Sequence, residues 1–182
     1  MAQRKLSQRQ SKHVPDASID EHHEVEGLER SLIWDVGRVY YAYVGLLERV
    51  LVEQQLDHIL RPGMGVVLFA LYKKDHVSIK ELAEYSQLAC STLTGVLQRM
   101  EVAGLITRSR DAVDGRLVRV ALTKLGRQLE SKCREVAHRM TAISEQSIGI
   151  GNVESCTQLL RNLASGYRLE EQNLSSSASR KK

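Results

Sequence analysis

The chain has 182 residues, 42% hydrophobic and 26% charged, which is ordinary for a globular protein and enough for one compact domain with an appended helical lobe. No apolar run approaches the length of a transmembrane helix, and the basic N-terminus runs into acids rather than an apolar core, so neither a membrane span nor a secretory signal is expected. The net charge of +4 is unevenly spread: setting aside the basic ends, 1–13 and 180–182, leaves 19 basic against 22 acidic residues, while 86–127 alone holds seven bases and three acids.

Residues 1–23 read as a disordered basic and polar arm with Pro15 and few apolar groups. From Glu24 to Gln55 apolar residues recur at three- and four-residue steps, through Leu28, Leu32, Val36, Val39, Tyr43, Leu46, Leu47, Val50 and Leu51. This period predicts a helix of about 45 Å at 1.5 Å per residue. Such a helix is longer than one small domain needs and suits packing against another subunit, so 24–60 is assigned as an N-terminal dimerisation segment. Pro62 is placed for the first turn of a helix over Met64–Tyr72.

Ser78-Ile79-Lys80-Glu81 fits a capping box and opens a short helix burying Ile79, Leu82 and Ala83. Ser86-Gln87 make a turn. A helix over Ser91–Ala103 then buries Leu93, Val96, Leu97 and Met100, and Gly104 stops it. Leu105–Arg110 and Leu117–Leu122 are β-rich runs joined by a loop with an Asp114-Gly115 turn pair. Two short helices followed by a hairpin predict a winged helix-turn-helix over 61–122, a shape suited to holding a helix in a DNA groove. The local positive charge falls on the same segment.

Thr123 is placed to cap a long helix to Ile148 with a buried stripe of Leu125, Leu129, Cys133, Val136, Met140 and Ile143. Gly149 and Gly151 break it, and Asn152 is expected to cap a last helix bearing Val153, Leu159, Leu160, Leu163 and Tyr167. The segment 123–170 reads as C-terminal dimerisation helices, and 171–182 as a Ser-rich, basic, disordered tail. The fold class is thus mostly α with a small β-hairpin wing, a winged helix-turn-helix flanked by dimerisation helices.

The run from Ser91 to Arg108, STLTGVLQRMEVAGLITR, and the wing sequence Asp114-Gly115-Arg116 followed by Leu122-Thr123-Lys124-Leu125-Gly126 resemble the multiple-antibiotic-resistance regulator (MarR) family of bacterial transcription factors. The resemblance covers roughly 28–170. It implies a cytoplasmic homodimer that binds a pseudo-palindromic double-stranded DNA operator, acts most often as a repressor, responds to a small-molecule effector, and is neither an enzyme nor a membrane protein. Two positions depart from the family pattern. Gly115 stands where a first wing Arg is frequent, and Gly95 stands where the recognition helix often carries a long polar residue.

The face of helix 91–103 opposite its apolar stripe presents Ser91, Thr92, Thr94, Gly95, Gln98 and Arg99. Short hydroxyls near a helix N-terminus can approach phosphates, Gln pairs with adenine, and Arg pairs with guanine. Arg116 at the hairpin tip is placed for a minor groove or the sugar-phosphate backbone. Arg108, Arg110 and Arg119 on the wing strands are expected at phosphates. Asp114, by the resemblance, braces a neighbouring Arg.

Four of the eight aromatic residues lie between Trp34 and Tyr43. Trp34, Arg38 and Tyr41 share a helical face at i, i+4 and i+7, an aromatic wall with one guanidinium that suits a small aromatic carboxylate. His58 and Arg61 in the following loop are candidates to close such a site. The competing reading is plain packing of a dimer core.

Two other sensing chemistries have candidate residues in the sequence. Cys90, beside the start of the recognition helix, offers a redox reading, but no cysteine occurs before it, whereas the resembled family's peroxide sensors carry theirs in the N-terminal helices. His22, His23, Glu24 and Glu26 offer metal ligands in an acidic segment. The three cysteines, Cys90, Cys133 and Cys156, are odd in number and widely spaced, with neither a disulfide framework nor a close metal pair, as suits a reducing compartment. No phosphate loop, nucleophile elbow or cofactor motif is present, and no cofactor is expected. A winged helix used only for protein interaction is the alternative from another class.

Overall fold

The computed structural model describes residues 31–179. The expected N-terminal arm, Leu28, the His22/His23/Glu24/Glu26 group and the final basic residues lie outside the described residues. The chain divides into two units between Tyr43 and Val44.

Helix α1 runs from Leu32 to Glu53 and crosses that division. In the first unit Leu32, Ile33, Trp34, Val39, Tyr40, Tyr41 and Tyr43 are exposed and Val36 is half-buried. In the second unit Val50 and Leu51 are buried in the core, with Leu46 and Leu47 packed against it. The expected stripe is therefore buried only over its last turns. Helix α1 ends before Gln55, which takes the left-handed conformation at φ 55°.

Helix α2, Met64–Lys73, buries Met64, Val67, Leu68 and Leu71 at i, i+3, i+4 and i+7. Its N-cap is Gly63 at φ 90°. Pro62 thus lies one residue before the cap, not in the first turn, because the left-handed glycine turns the chain into the helix.

Strand β1, Val77–Ser78, was not read from sequence, since two residues carry no period. The capping box is formed: Glu81 N–H donates to Ser78 Oγ at 3.2 Å, and Ser78 N–H donates to Glu81 Oε2 at 2.8 Å. It opens helix α3, Ile79–Ser86, which Gln87 closes in the left-handed conformation. Helix α4, Cys90–Val102, buries the four expected residues, Leu93, Val96, Leu97 and Met100, and Gly104 follows at φ 70°.

Strands β2, Ile106–Arg110, and β3, Val118–Leu122, form the wing. With β1 they make an antiparallel sheet of order β1-β3-β2, so β3 is central. The core of the second unit lies among α2, α3, α4 and this sheet, closed by Cys133, Val136 and Met140.

The single helix expected from Thr123 to Ile148 is two. Helix α5, Lys124–Gln128, is capped by Thr123 Oγ1, which accepts from Gly126 N–H at 3.0 Å, and helix α6 runs Glu130–Ile148. Leu129, at φ −80° and ψ −6°, is the turn residue between them. Asn152 lies in a short 3-10 turn, Ile150–Asn152, and its amide donates to the Ile148 carbonyl at 2.8 Å. Its side chain thus closes the end of α6 immediately before the last helix begins at Val153.

Helix α7 runs Val153–Ser179. Residues 171–179 are helical, not the disordered tail expected from their serines. Ser175 and Ser176 donate to carbonyls four residues back at 2.8 Å, which satisfies the hydroxyls within the helix. Among the described residues no helix is long and apolar enough to cross a membrane.

Candidate nucleic-acid interface

Helix α4 begins at Cys90 with Ala89 as N-cap and no side-chain capping bond. Its buried stripe leaves Ser91, Thr92, Thr94, Gln98 and Arg99 exposed and Gly95 half-buried. Thr94 Oγ1 donates to the Cys90 carbonyl at 2.8 Å, which leaves its lone pairs outward. A Cβ on Gly95 would stand 3.6 Å from Arg99 Nη1. The Arg99 guanidinium therefore folds back one turn along the helix and lies over the glycine. Cys90 itself is exposed, Cys133 is buried and Cys156 is half-buried, all as free thiols.

The wing loop is built by two carboxylates. Asp111 Oδ1 accepts from the backbone N–H groups of Val113 and Asp114, both at 2.9 Å. Asp114 Oδ1 accepts from Arg116 N–H at 3.0 Å, and Leu117 N–H donates to the Asp114 carbonyl at 2.9 Å. Asp114 thus shapes a four-residue turn. Its carboxylate engages the neighbouring Arg116 through the backbone N–H and is in no ion pair among the described residues. The acid that holds a guanidinium in this loop is Asp111, whose Oδ2 takes Arg119 Nε at 2.6 Å. Sequence reasoning passed over Asp111, although an Asp at a strand end, two residues before Val113, is the usual start of an Asx turn. The N–H of Asp114, then Arg119 and the N–H of Val113, hold the Asp111 carboxyl down at about 2.

Arg119 was expected at a phosphate. In this structure its guanidinium is engaged within the protein: besides Asp111, its Nη1 lies 3.5 Å from Glu81 Oε2 and donates to the His76 carbonyl at 3.2 Å. Lys74 Nζ, 2.8 Å away, and the Ser78 groups hold the Glu81 carboxyl at about 2. Arg108, also expected at a phosphate, is paired with Glu101, its Nε at 2.9 Å from Oε2. Arg127 is paired with Asp75.

The basic segment is thereby sorted. Among the described residues Arg99, Arg110, Arg116 and Lys124 are in no ion pair, while Arg108, Arg119 and Arg127 are. The uncommitted cations lie on the exposed face of α4, on the end of β2, on the wing tip and at the start of α5. Beside Arg116 the wing tip carries Val113, which is 98% exposed.

In the first unit a concave surface of about 520 Å³ is lined by Ile33, Trp34, Gly37, Arg38 and Tyr41. The structure thus brings together the three residues read as an aromatic wall with a guanidinium. Arg38 Nη1 also lies 3.8 Å from Asp35 Oδ1. His58 and Arg61 belong to the second unit, where both are exposed and Arg61 Nη1 donates to the Leu60 carbonyl at 2.9 Å.

The model of the MarR family matches residues 62–118. The chain is 33% identical over 140 residues to the HTH-type transcriptional regulator TtmR of Methylorubrum extorquens, a match covering 77% of this chain and 67% of that protein. It is 35% identical over 82 residues to the organic hydroperoxide resistance transcriptional regulator of Bacillus subtilis, a match covering 45% of this chain and only 56% of that protein's length. Among solved structures, that of Bordetella bronchiseptica BpsR, in work on the regulation of its DNA binding by 6-hydroxynicotinic acid, aligns with a TM-score of 0.65 at 24% identity. The alignment covers 75% of this chain and 94% of that one.

Proposed function

The chain belongs to the MarR family, and on that premise we propose that it is a homodimeric repressor released from a pseudo-palindromic operator by a small aromatic carboxylate. At the level of the family it is a DNA-binding transcriptional regulator of the MarR type and not an enzyme. In the proposed arrangement 61–122 binds DNA, and 24–60 with 123–170 form the dimer.

The observation that carries the DNA reading is the distribution of unpaired cations. Among the described residues Arg99, Arg110 and Arg116 are in no ion pair on α4, the end of β2 and the wing tip, while the wing-strand cations Arg108 and Arg119 are neutralised by acids. Helix α4 enters the major groove, where Gln98 and Arg99 face base edges and Ser91, Thr92 and Thr94 face the backbone. Arg116 meets the minor groove, and Arg110 a phosphate. The dimer is supported by α7, a helix of 27 residues in which no described side chain is buried and Leu159, Leu160, Tyr167, Leu169 and Leu174 are exposed. A two-fold dimer sets its recognition helices about one DNA turn apart.

The effector reading rests on Trp34, Arg38 and Tyr41 around one concavity. The Bordetella neighbour's DNA binding is regulated by an aromatic carboxylic acid, which fits an aromatic wall carrying a guanidinium. The acid favours a dimer whose recognition helices are misplaced for DNA, and by linkage DNA weakens the acid equally.

The test is selection of duplexes from a randomised pool, footprinting of the winners at several salt concentrations, and sedimentation of the free protein. A footprint over two half-sites and a dimer are expected; a monomer or a single half-site would overturn the arrangement. Trp34 is the only tryptophan, so its emission reports on the concavity directly. Titration with hydroxybenzoates, cinnamates and 6-hydroxynicotinate is expected to quench it and release the duplex. Silence across all three classes would sink the carboxylate reading.

A further inference from the structure

Arg119 is the second residue of the central strand, with Ser78 of β1 on one side and Ser109 of β2 on the other. Its side chain is 34% exposed, yet its Nε and Nη1 are directed at three separate segments. Nε bonds Asp111 Oδ2 at 2.6 Å in the wing loop. Nη1 bonds the His76 carbonyl at 3.2 Å in the turn before β1, and lies 3.5 Å from Glu81 Oε2 in the first turn of α3. Glu81 is in turn tied to Lys74 at 2.8 Å and to Ser78 N–H at 2.8 Å. The four charges Lys74, Glu81, Arg119 and Asp111 balance, so this cluster offers no net attraction to a phosphate.

The other side of Asp111 builds the loop that carries Arg116. Its Oδ1 takes the N–H groups of Val113 and Asp114, and its own N–H donates to the Leu117 carbonyl at 2.9 Å. One carboxylate therefore joins the wing loop's backbone to a guanidinium anchored on the helix-turn-helix. A planar fork can hold such partners at once, whereas a lysine ammonium at the end of a flexible stem cannot reproduce that geometry.

We propose that Arg119 is a positioning residue for DNA binding: through Asp111 it locks the wing loop to the turn before β1 and the start of α3, so that Arg116 is presented to the duplex while Arg119 itself touches none. The proposal rests on the reading that Arg116 meets DNA. Without the Arg119 bond the loop keeps its local turn but loses its fixed direction. Asp111 also becomes an unneutralised anion beside the DNA path.

The test is a double-mutant cycle on a duplex selected by the wild-type chain, with Arg116→Ala, Arg119→Ala and the pair together, at matched salt. Each single change is expected to weaken specific binding about tenfold and to lower the salt slope by about one. The double variant is expected to bind little worse than Arg119→Ala alone, because the loop no longer delivers Arg116. Arg119→Lys is expected to recover only part of the loss.

Asp111→Asn separates positioning from bulk charge. It keeps an acceptor for the loop N–H groups and removes a negative charge near DNA, which by charge alone tightens binding. The positioning role requires that it weaken binding, and it also serves if Arg119→Ala fails to fold. Additive losses for the two arginines, or an Asp111→Asn variant that binds as tightly as wild type or tighter, would overturn the proposal. A wild-type chain that selects no duplex at all would instead overturn the reading of function on which it rests.

Discussion

Gly126 lies directly against the carbonyl oxygen of Leu105, so close that a Cβ on Gly126 would collide with that oxygen and press on Leu122 Cδ2 at 3.1 Å. The same carbonyl accepts Thr123 N–H at 3.0 Å and Thr123 Oγ1 at 3.2 Å. Tyr72 adds its hydroxyl, donated to the Gly126 carbonyl at 3.0 Å. The Leu-Thr-x-x-Gly sequence is therefore a docking device: it seats the first turn of α5 on the end of α4's exit loop, and glycine is the residue that lets two backbones meet. Gly126→Ala is expected to destabilise the fold by about 1–3 kcal/mol, since the obstacle is backbone and cannot rotate away. Urea denaturation checks this; an unchanged midpoint would show that the contact yields freely.

Gly95 behaves oppositely. A Cβ there meets only Arg99 Nη1, at the ordinary contact distance of 3.6 Å. Gly95→Ala is expected to stabilise α4 by about 0.5–1 kcal/mol and to leave DNA binding nearly unchanged. Gly95→Gln fills the space over which the Arg99 guanidinium lies, and is expected to shift base preference in duplex selection. Identical selected sequences for wild type and Gly95→Gln would remove Gly95 from the determinants of specificity.

Arg116 and Arg108 are both wing arginines but are expected to differ. Arg116 is in no ion pair among the described residues, and its replacement by Ala is expected to cost about 1–3 kcal/mol of specific binding. Arg108 is held by Glu101, so Arg108→Ala is expected to change affinity much less. Titrations at one salt concentration decide between them, and equal losses would show that the Glu101 pair opens on DNA.

The Asp111 carboxyl is held at about 2, below the ordinary Asp value of 3.8. A carboxylate with a depressed folded-state value adds stability that is complete above the ordinary value and is lost as pH falls toward the depressed one. The wing loop is therefore expected to keep its structure on acidification to about pH 4 and to loosen between there and about pH 2. Carboxyl-carbon NMR gives the titration, and the Val113 and Asp114 amide shifts are expected to follow it. In Arg119→Ala the midpoint is expected to move up. A wild-type midpoint at the ordinary value would contradict the bonds to Asp111.

Much of this molecule is legible from neighbours along the chain. The Ser78–Glu81 capping box, the four-residue apolar stripe of α4, the stop at Gly104 and the Thr123 cap all depend on groups within about four positions of one another, and all were expected before the fold was known. The break at Leu129 and the helical course of 171–179 were not. Apolar period does not register a one-residue turn between two helices, and serine hydroxyls that bond back to their own helix look, in composition, like a tail.

The wing arginines mark the division between the two kinds of information. Sequence by itself determined the family pattern, the winged helix-turn-helix and the presence of a basic segment, because those are properties of order and spacing. It set Arg116 apart at the hairpin tip but treated Arg108, Arg110 and Arg119 alike, as phosphate contacts. Only the tertiary structure decided that Arg108 and Arg119 are neutralised and that Arg116 is free. The groups that decide it, Glu81, His76 and Asp111, come to Arg119 from three segments up to 43 positions away, and no local pattern records which charges the folded sheet brings together.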